Sequence, residues 1–224
     1  MTQNDSFIHE VTEEVRRDKL FAIYKKYGWI LALLVAAIVG GAGVNEFLKS
    51  RAEAAAQATG DAMLAAIALP DKAAQAAELA KLADSSGGAA VLVKFQEAAS
   101  LQQAGDNKGA AAILDALAGA VETPALFGDI ARLKSVMIQG SAMPAEDRLA
   151  ALDALSAAGM PLRTLALEQR ALVHLETGGR EAALADLKVV FESSESSQTS
   201  QQRAAQLIIA LGGELPQGEP VKLQ

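Results

Sequence analysis

Residues 98–119, AASLQQAGDNKGAAAILDALAG, decide the fold, because a related stretch, ALVHLETGGREAALADLKVVFE, follows at residues 171–192. Each stretch predicts a helix, a glycine turn and a second helix that returns along the first. Glycine suits the left-handed turn that ends many helices, and small side chains at the contact let two helices approach closely. The aligned pairs are Ala98 with Ala171, Gly105 with Gly178, Ala110 with Ala183, Leu114 with Leu187, and Leu117 with Val190. The repetition predicts a chain built from helical hairpins.

Residues that break helices recur at a nearly constant interval. One series advances in steps of 35, 35 and 38 residues, at Pro70, Gly105, Gly140 and Gly178. A second series lies between its members, at DSSGG (84–88), VETP (121–124), AAGMP (157–161) and SSESSQTS (193–200). Such a period is typical of helical-hairpin repeats. We therefore predict an all-α fold with an α-solenoid of tetratricopeptide-like hairpins over 49–213 and a flexible tail over 214–224. The usual tryptophan, tyrosine and terminal proline of these repeats are missing.

Composition favours helices and restricts the function. Hydrophobic residues make up 51% of the chain and aromatic residues only 4%, so the apolar content is mostly alanine and leucine, both strong helix formers. The net charge is −7, and because the charges of residues 1–49 cancel, the acidity lies in residues 50–224. A nucleic-acid partner would need a basic face, and we expect none. The lack of cysteine excludes disulfides and thiolate chemistry.

An uncharged apolar run, GWILALLVAAIVGGAGV, occupies residues 28–44. As a helix it covers roughly 25 Å, and apolar neighbours extend it towards the ~30 Å core of a bilayer. We predict a transmembrane helix over 28–48, preceded by a cytoplasmic tail over 1–27. A buried core helix is the alternative, although no other part of the chain is so continuously apolar.

Basic residues around this run predict its orientation. Five precede it, at Arg16, Arg17, Lys19, Lys25 and Lys26, and only Lys49 and Arg51 follow closely. The positive-inside rule therefore places the N-terminus in the cytoplasm and residues 50–224 on the far side. A cleaved signal peptide is the alternative, but its charged leading region would be unusually long.

Small residues recur every fourth position within the run, at Gly28, Ala32, Ala36 and Gly40. Such a stripe lets two helix backbones approach closely in lipid, which favours a helix-packing role. Glycine and alanine are also frequent in membrane spans for other reasons, and the pattern leaves both interpretations open.

Residue types that carry chemistry are few. His9 lies in the tail, and His174 occupies a repeat position that favours a core role over catalysis. Two histidines without cysteine do not make a typical zinc site. GGAG at 40–43 lacks the lysine and hydroxyl residue of a phosphate loop. We predict a non-enzyme without cofactor, metal or small-molecule substrate.

In a helical solenoid, the first helix of each hairpin lines a concave surface that binds partners. The larger apolar residues on the expected first helices are Leu92, Phe95, Phe127 and Met137. We expect most of them in the core and one or two in the groove, where an apolar side chain is suited to anchoring a partner protein.

The order of these parts resembles the proteobacterial ancillary subunit of the SecYEG translocon, a family also labelled as cell-division coordinators with tetratricopeptide repeats. The resemblance covers most of the chain: the short tail, the span, the alanine-rich helix after it, and the hairpins AASLQQAGDNKGAAAILDAL and RALVHLETGGREAALADLKVVF. It implies a bacterial inner-membrane protein with a periplasmic, chaperone-like domain. The implied partners are translocon subunits, a membrane-anchored periplasmic chaperone and newly exported clients.

Two other functions are consistent with the sequence. The chain could serve as a scaffold of another envelope machine, such as cell division or wall synthesis, and co-purification from native membranes distinguishes this role. It could also be an enzyme in a helical domain, which an assembled catalytic constellation would favour.

The basic residues before residue 28 lead to a test of topology. We expect alkaline phosphatase fused after residue 224 to be active, because that enzyme requires export and the positive-inside rule places residues 50–224 outside the cytoplasm. Activity of the fusion in intact cells is the measurement. An inactive fusion beside an active cytoplasmic reporter at the same site would contradict the orientation.

Overall fold

The computed structural model describes residues 3–216, apart from the side chains of residues 3–24, 26–28, 31, 32, 35 and 42. Every regular element in this range is a helix. The α-helices, in chain order, are α1 Gln3–Ile67, α2 Lys72–Ala83, α3 Ala90–Gln103, α4 Asn107–Gly119, α5 Ala125–Gln139, α6 Ala145–Ser156, α7 Arg163–Glu176, α8 Arg180–Glu192 and α9 Gln198–Ala210. Short 3₁₀ turns, Gly87–Ala89 and Gly140–Ala142, precede α3 and follow α5.

The chain divides into two compact units, residues 1–58 and residues 59–224. Described side chains of the first unit belong to α1 and are exposed. No helix among the described residues has a stretch that is long and apolar enough to cross a membrane. The transmembrane helix expected at 28–48 is therefore not found among them, and the side chains of residues 28, 31, 32, 35 and 42 of that stretch fall outside the description.

The small-residue stripe is only partly described. Ala36 and Gly40 are exposed on α1, and a methyl group added at Gly40 would touch nothing within 4 Å. The side chains at Gly28 and Ala32, like His9, lie outside the described residues. The proposed role of the stripe in helix packing stays a prediction.

Helices of the second unit pack in chain order, each against the next from α2 to α9. We call α3, α5, α7 and α9 the first helices, and α2, α4, α6 and α8 the second helices. The starting residues of both series advance by 35, 38 and 35 positions. Contacts between α3 and α5, and between α7 and α9, also join first helices to one another. The predicted all-α fold with helical-hairpin packing is confirmed for the described residues.

Four hydrophobic clusters of the described residues follow this arrangement, and each joins three consecutive helices. Their buried members come from α1–α3, α3–α5, α5–α7 and α7–α9 in turn. The alanines aligned between the two hairpins, Ala98, Ala110, Ala171 and Ala183, are at most 1% exposed. Burial of a methyl side chain at each helix contact keeps the two helices of a hairpin close, as the sequence predicted.

Glycine ends three of the four first helices, α3, α7 and α9, in a shared geometry, whereas Gly140 after α5 opens a 3₁₀ turn. Gly105 has a φ of 89°, its N–H donates to the carbonyl of Gln102 at 3.0 Å, and the N–H of Asp106 donates to the carbonyl of Leu101 at 2.9 Å. Gly178 has a φ of 80° and ends α7 with the same pair of hydrogen bonds. This is the Schellman pattern, which satisfies carbonyls at the helix end and reverses the chain.

A buried glutamine closes the beginning of the stack. Gln75 on α2 is 1% exposed, and its Nε2 donates to the carbonyls of Ile67 at 2.8 Å and Leu69 at 2.6 Å. Its Oε1 accepts from Ser100 Oγ of α3 at 3.3 Å. The side chain therefore satisfies carbonyls at the end of α1, which would otherwise be costly to bury.

We expect Gly105→Ala to lower the free energy of unfolding by about 1–2 kcal/mol, because an L-residue resists the left-handed backbone conformation. Gly119→Ala is the matched control, since it ends α4 without a positive φ and alanine favours helix. Neither added methyl group meets an atom within 4 Å, so steric clashes do not explain a difference. Urea unfolding followed by circular dichroism checks this, and equal effects of both changes would contradict the turn argument.

Candidate functional site

Large apolar side chains are unevenly exposed in the second unit. On its α2–α9 helices they occur only on first helices: Leu92 on α3, Leu126 and Met137 on α5, Leu165 and Leu172 on α7, and Ile209 on α9. The described second helices contribute none. Because the large apolar side chains of the second helices are all buried or half-buried, the exposed ones distinguish the first helices and do not reflect general surface composition.

Helical spacing places these residues on narrow stripes. Leu165 and Leu172 are seven residues apart, and Leu126 and Met137 are eleven apart, so each pair shares one side of its helix. We define the first-helix face by the partly or fully exposed residues that follow this spacing: Leu92, Gln96 and Ala99 on α3, Leu126, Ile130, Lys134 and Met137 on α5, and Leu165, Gln169 and Leu172 on α7.

Two of the four residues predicted to bind a partner lie on this face. Leu92 and Met137 are each 53% exposed. Phe95 and Phe127 are half-buried instead, and their ring centroids lie 6.2 Å apart with an interplanar angle of 48°. This ring pair joins α3 to α5 beside the face, at a distance that favours aromatic attraction. The phenylalanines therefore stabilise the contact between first helices.

The next contact between first helices uses charge in place of aromatic rings. Glu168 of α7 is 7% exposed and accepts from Arg203 of α9 through both carboxylate oxygens, at 2.8 and 2.9 Å. The alignment that pairs Ala98 with Ala171 also pairs Phe95 with Glu168. The same repeat position thus contacts the next first helix in both places, through an aromatic ring in one and a carboxylate in the other. The hydrogen bond to Glu168 also raises the pKa of Arg203.

Arg170 connects α7 to both adjoining second helices. Its guanidinium donates to both carboxylate oxygens of Asp186 on α8, at 2.7 and 2.9 Å, and to Asp153 and Ser156 on α6. The hydrogen bond with Asp186 is the largest cause that raises the pKa of Arg170. His174 is partly buried, with Nε2 3.9 Å from Asp186 Oδ2. His174 therefore lies next to the ion pairs through which Arg170 links α7 to α6 and α8.

A second arginine anchors the edge of the face on α7. Arg148 of α6 is 5% exposed, and its Nη2 donates to Glu176 Oε2 at 2.5 Å. This hydrogen bond is the largest cause that lowers the pKa of Glu176. The Glu176 carboxylate is therefore already paired within the protein. Lys134, by contrast, is a charged residue of the face that forms no ion pair in the structure.

Sequence reasoning missed Leu126, Leu165, Leu172 and Ile209. The signal for Leu165 and Leu172 was available, since their seven-residue spacing lies off the two sides of α7 that carry Ala166 with Val173 and Leu167 with Ala171. Both of these sides are buried. A helical wheel would have separated the two stripes, whereas residue size alone selected the phenylalanines.

Comparison with known proteins finds no match: no protein-family model, curated protein or solved structure matches the chain.

Coupling between Phe95 and Phe127 provides a test of the ring contact. We expect Phe95→Leu and Phe127→Leu together to cost less stability than the sum of the single changes, with a coupling of about 0.5–1.5 kcal/mol. Chemical denaturation of the four proteins gives this double-mutant cycle. Ile209→Ala combined with Phe127→Leu is the control and should be additive, because Ile209 lies on α9, which packs against α7 and α8. A zero coupling for the ring pair would contradict the contact.

Proposed function

We propose that this chain is a membrane-anchored protein-interaction module that holds polypeptide segments on its first-helix face and acts by binding, without catalysis. The observation that carries the proposal is the restriction of exposed large apolar side chains to the first helices among α2–α9. Exposed apolar surface of this kind is costly in water and commonly marks an interaction site.

The composition of the face supports a protein partner. Leucine, methionine, isoleucine and glutamine predominate, and few charges intervene. The cores of protein interfaces are similarly depleted of charged residues and rich in larger apolar ones. The face is therefore suited to covering by a polypeptide, with the acidic remainder of the domain left in solvent.

The anchor is proposed from the apolar run at 28–44 and its surroundings. Nine large apolar side chains between residues 29 and 48 are exposed on α1: Trp29, Ile30, Leu33, Leu34, Ile38, Val39, Val44, Phe47 and Leu48. Their positions lie on more than one side of the helix, and a helix that is apolar all round is buried in protein or lipid. We propose a single pass with the N-terminus cytoplasmic and residues 50–224 periplasmic.

The partner class is proposed from the resemblance of the chain to the ancillary SecYEG subunit. A tetratricopeptide-like domain held on the outer side of the inner membrane would meet translocon subunits, a membrane-anchored periplasmic chaperone and exported clients. Tethering raises the effective concentration of the domain near such partners. Individually weak contacts at the face would then suffice.

Site-specific photocrosslinking in intact cells tests this function. A crosslinking side chain at Leu92, Met137 or Leu172 should capture translocon subunits, the chaperone or exported proteins, whereas the same group at Val121 should not. Val121 is 95% exposed but lies in the loop between α4 and α5, outside the residues that define the first-helix face. Capture of cell-division or wall-synthesis proteins alone would favour a scaffold of another machine. Equal capture at Val121 would contradict a specific face.

Charge introduced on the face should weaken partner capture. We expect the double change Leu165→Glu and Leu172→Glu to weaken binding at least tenfold, because burying two unpaired carboxylates under a partner costs several kcal/mol. Leu165 is 43% and Leu172 40% exposed in the free protein, so each is partly packed, and the melting temperature of the variant is measured as well to separate lost stability from lost binding. Val121→Glu is the control. Unchanged co-purification of every partner with the double variant would disprove the proposed face.

A further inference from the structure

The first-helix face repeats a second feature besides its apolar residues. Aligning α3 with α7 by their terminal glycines pairs LVKFQEAASLQQAG (92–105) with LALEQRALVHLETG (165–178). Leu92 then matches Leu165, and Gln96 matches Gln169. Each glutamine lies between two apolar positions of its stripe, one turn before and one turn after it. Two equivalent repeats therefore present the same trio, an apolar residue, an amide and another apolar residue.

Both amides are free for a ligand. Gln96 and Gln169 are half-buried, and the hydrogen bonds of the described side chains do not involve them. By contrast, Gln75, Gln139 and Gln201 all donate within the protein. A primary amide offers two donors and two acceptors, which matches the N–H and C=O that each peptide unit of an extended chain leaves unpaired.

Charge on the intervening helix restricts the ligand further. Lys134 lies on the face of α5, between α3 and α7 in the order of first helices, and is exposed without an ion pair. The acid at the edge of the face on α7, Glu176, is already bonded to Arg148. A free cation on an otherwise nearly uncharged face favours a ligand that has a carboxylate near its centre.

We propose that the face binds an extended, apolar polypeptide segment through its main chain, with Gln96 and Gln169 as the two amide contacts and an acidic residue of the segment at Lys134. This inference rests on the proposed function and specifies its ligand. Leu92 and Ala99 at one end, and Leu165 and Leu172 at the other, receive alternate side chains of the segment. A helical partner would satisfy its own peptide groups and would leave both glutamines without a role.

The spacing of the helices sets the length of the segment. Neighbouring helix axes lie about 8–10 Å apart, so the amides on α3 and α7, which are two first helices apart, are separated by roughly 16–20 Å. An extended chain advances about 3.3 Å per residue, and therefore about six residues connect the two contacts.

Peptide binding to the full-length protein in detergent tests the proposal. The probe is a capped, fluorescent peptide of about eight residues, long enough to connect both amides, in which leucine alternates with serine and aspartate is central. Gln96→Ala and Gln169→Ala should each weaken binding roughly two- to tenfold, as expected for one hydrogen bond. Gln198→Ala, an exposed glutamine at the start of α9, is the matched control and should have no effect.

A main-chain change in the probe separates this contact from a structural effect of the variants. Replacing the amides of the peptide by esters removes N–H donors. The ester peptide should bind the parent protein more weakly than the amide peptide does. In the double variant Gln96→Ala with Gln169→Ala, the two peptides should bind with nearly equal affinity. An ester effect of equal size in both proteins would overturn the proposal. Tighter binding of a stapled helical peptide of the same composition would also overturn it.

The role of Lys134 has its own readout. Lys134→Glu should reverse the preference of the protein, so that a central lysine in the peptide binds better than aspartate. If Lys134→Glu still prefers the peptide with a central aspartate, the proposed contact between Lys134 and an acidic residue is wrong. If Leu165→Glu with Leu172→Glu abolishes partner capture while the glutamine, ester and Lys134 results are all negative, the proposed function stands and the extended-segment ligand is wrong. If that leucine pair has no effect either, the function itself is wrong.

Discussion

A first helix contacts neighbours on three sides, and this constraint determines what the second unit can expose. On α7, Ala166 and Val173 face the cluster with α5 and α6, whereas Leu167 and Ala171 face the cluster with α8 and α9. A helix of 3.6 residues per turn has only one narrow stripe left after these contacts. Leu165, Gln169 and Leu172 lie on that stripe. The binding face is therefore a consequence of the repeat packing and needs no separate loop or cleft.

The close approach of the helices allows the remaining contacts to vary in chemistry. Buried alanines at the hairpin crossings and positive-φ glycines in the turns fix where the next helix lies. Once that geometry is set, the position held by Phe95 in one repeat is held by Glu168 in another. An aromatic pair and a charge-assisted pair can both fill it, because each satisfies its own groups when partly buried. Divergent repeats can thus keep one fold without a shared aromatic signature.

The sequence predicted the helical hairpins correctly because their key residues suit a single structural role. Gly105 and Gly178 needed a left-handed turn, and Ala98 and Ala171 needed a close crossing, so period and residue type sufficed for the hairpins. Site prediction was weaker, because Phe95 and Leu92 look equally apolar in sequence and only packing shows which side of α3 each occupies. Gln75 carried no sequence signal either, since its partners include the carbonyls of Ile67 and Leu69, which any residues would present. The membrane span stays a prediction from composition.

Helix α9, the last helix among the described residues, combines apolar packing on one side with polar residues on the other. Helix α9 ends at Gly212 with a φ of 68° and the same paired hydrogen bonds as α3 and α7, so it has the form of a first helix. Its position equivalent to Ala98 and Ala171 is Ala205, which is only half-buried. Uncovered apolar surface at the end of a repeat array requires a polar cap. The sequence QTSQQRAAQ meets this requirement, with four glutamines in nine residues. The glutamine amides are uncharged, so they hydrate this helix without making the net charge of −7 more negative. A more negative charge would increase the electrostatic repulsion within the domain.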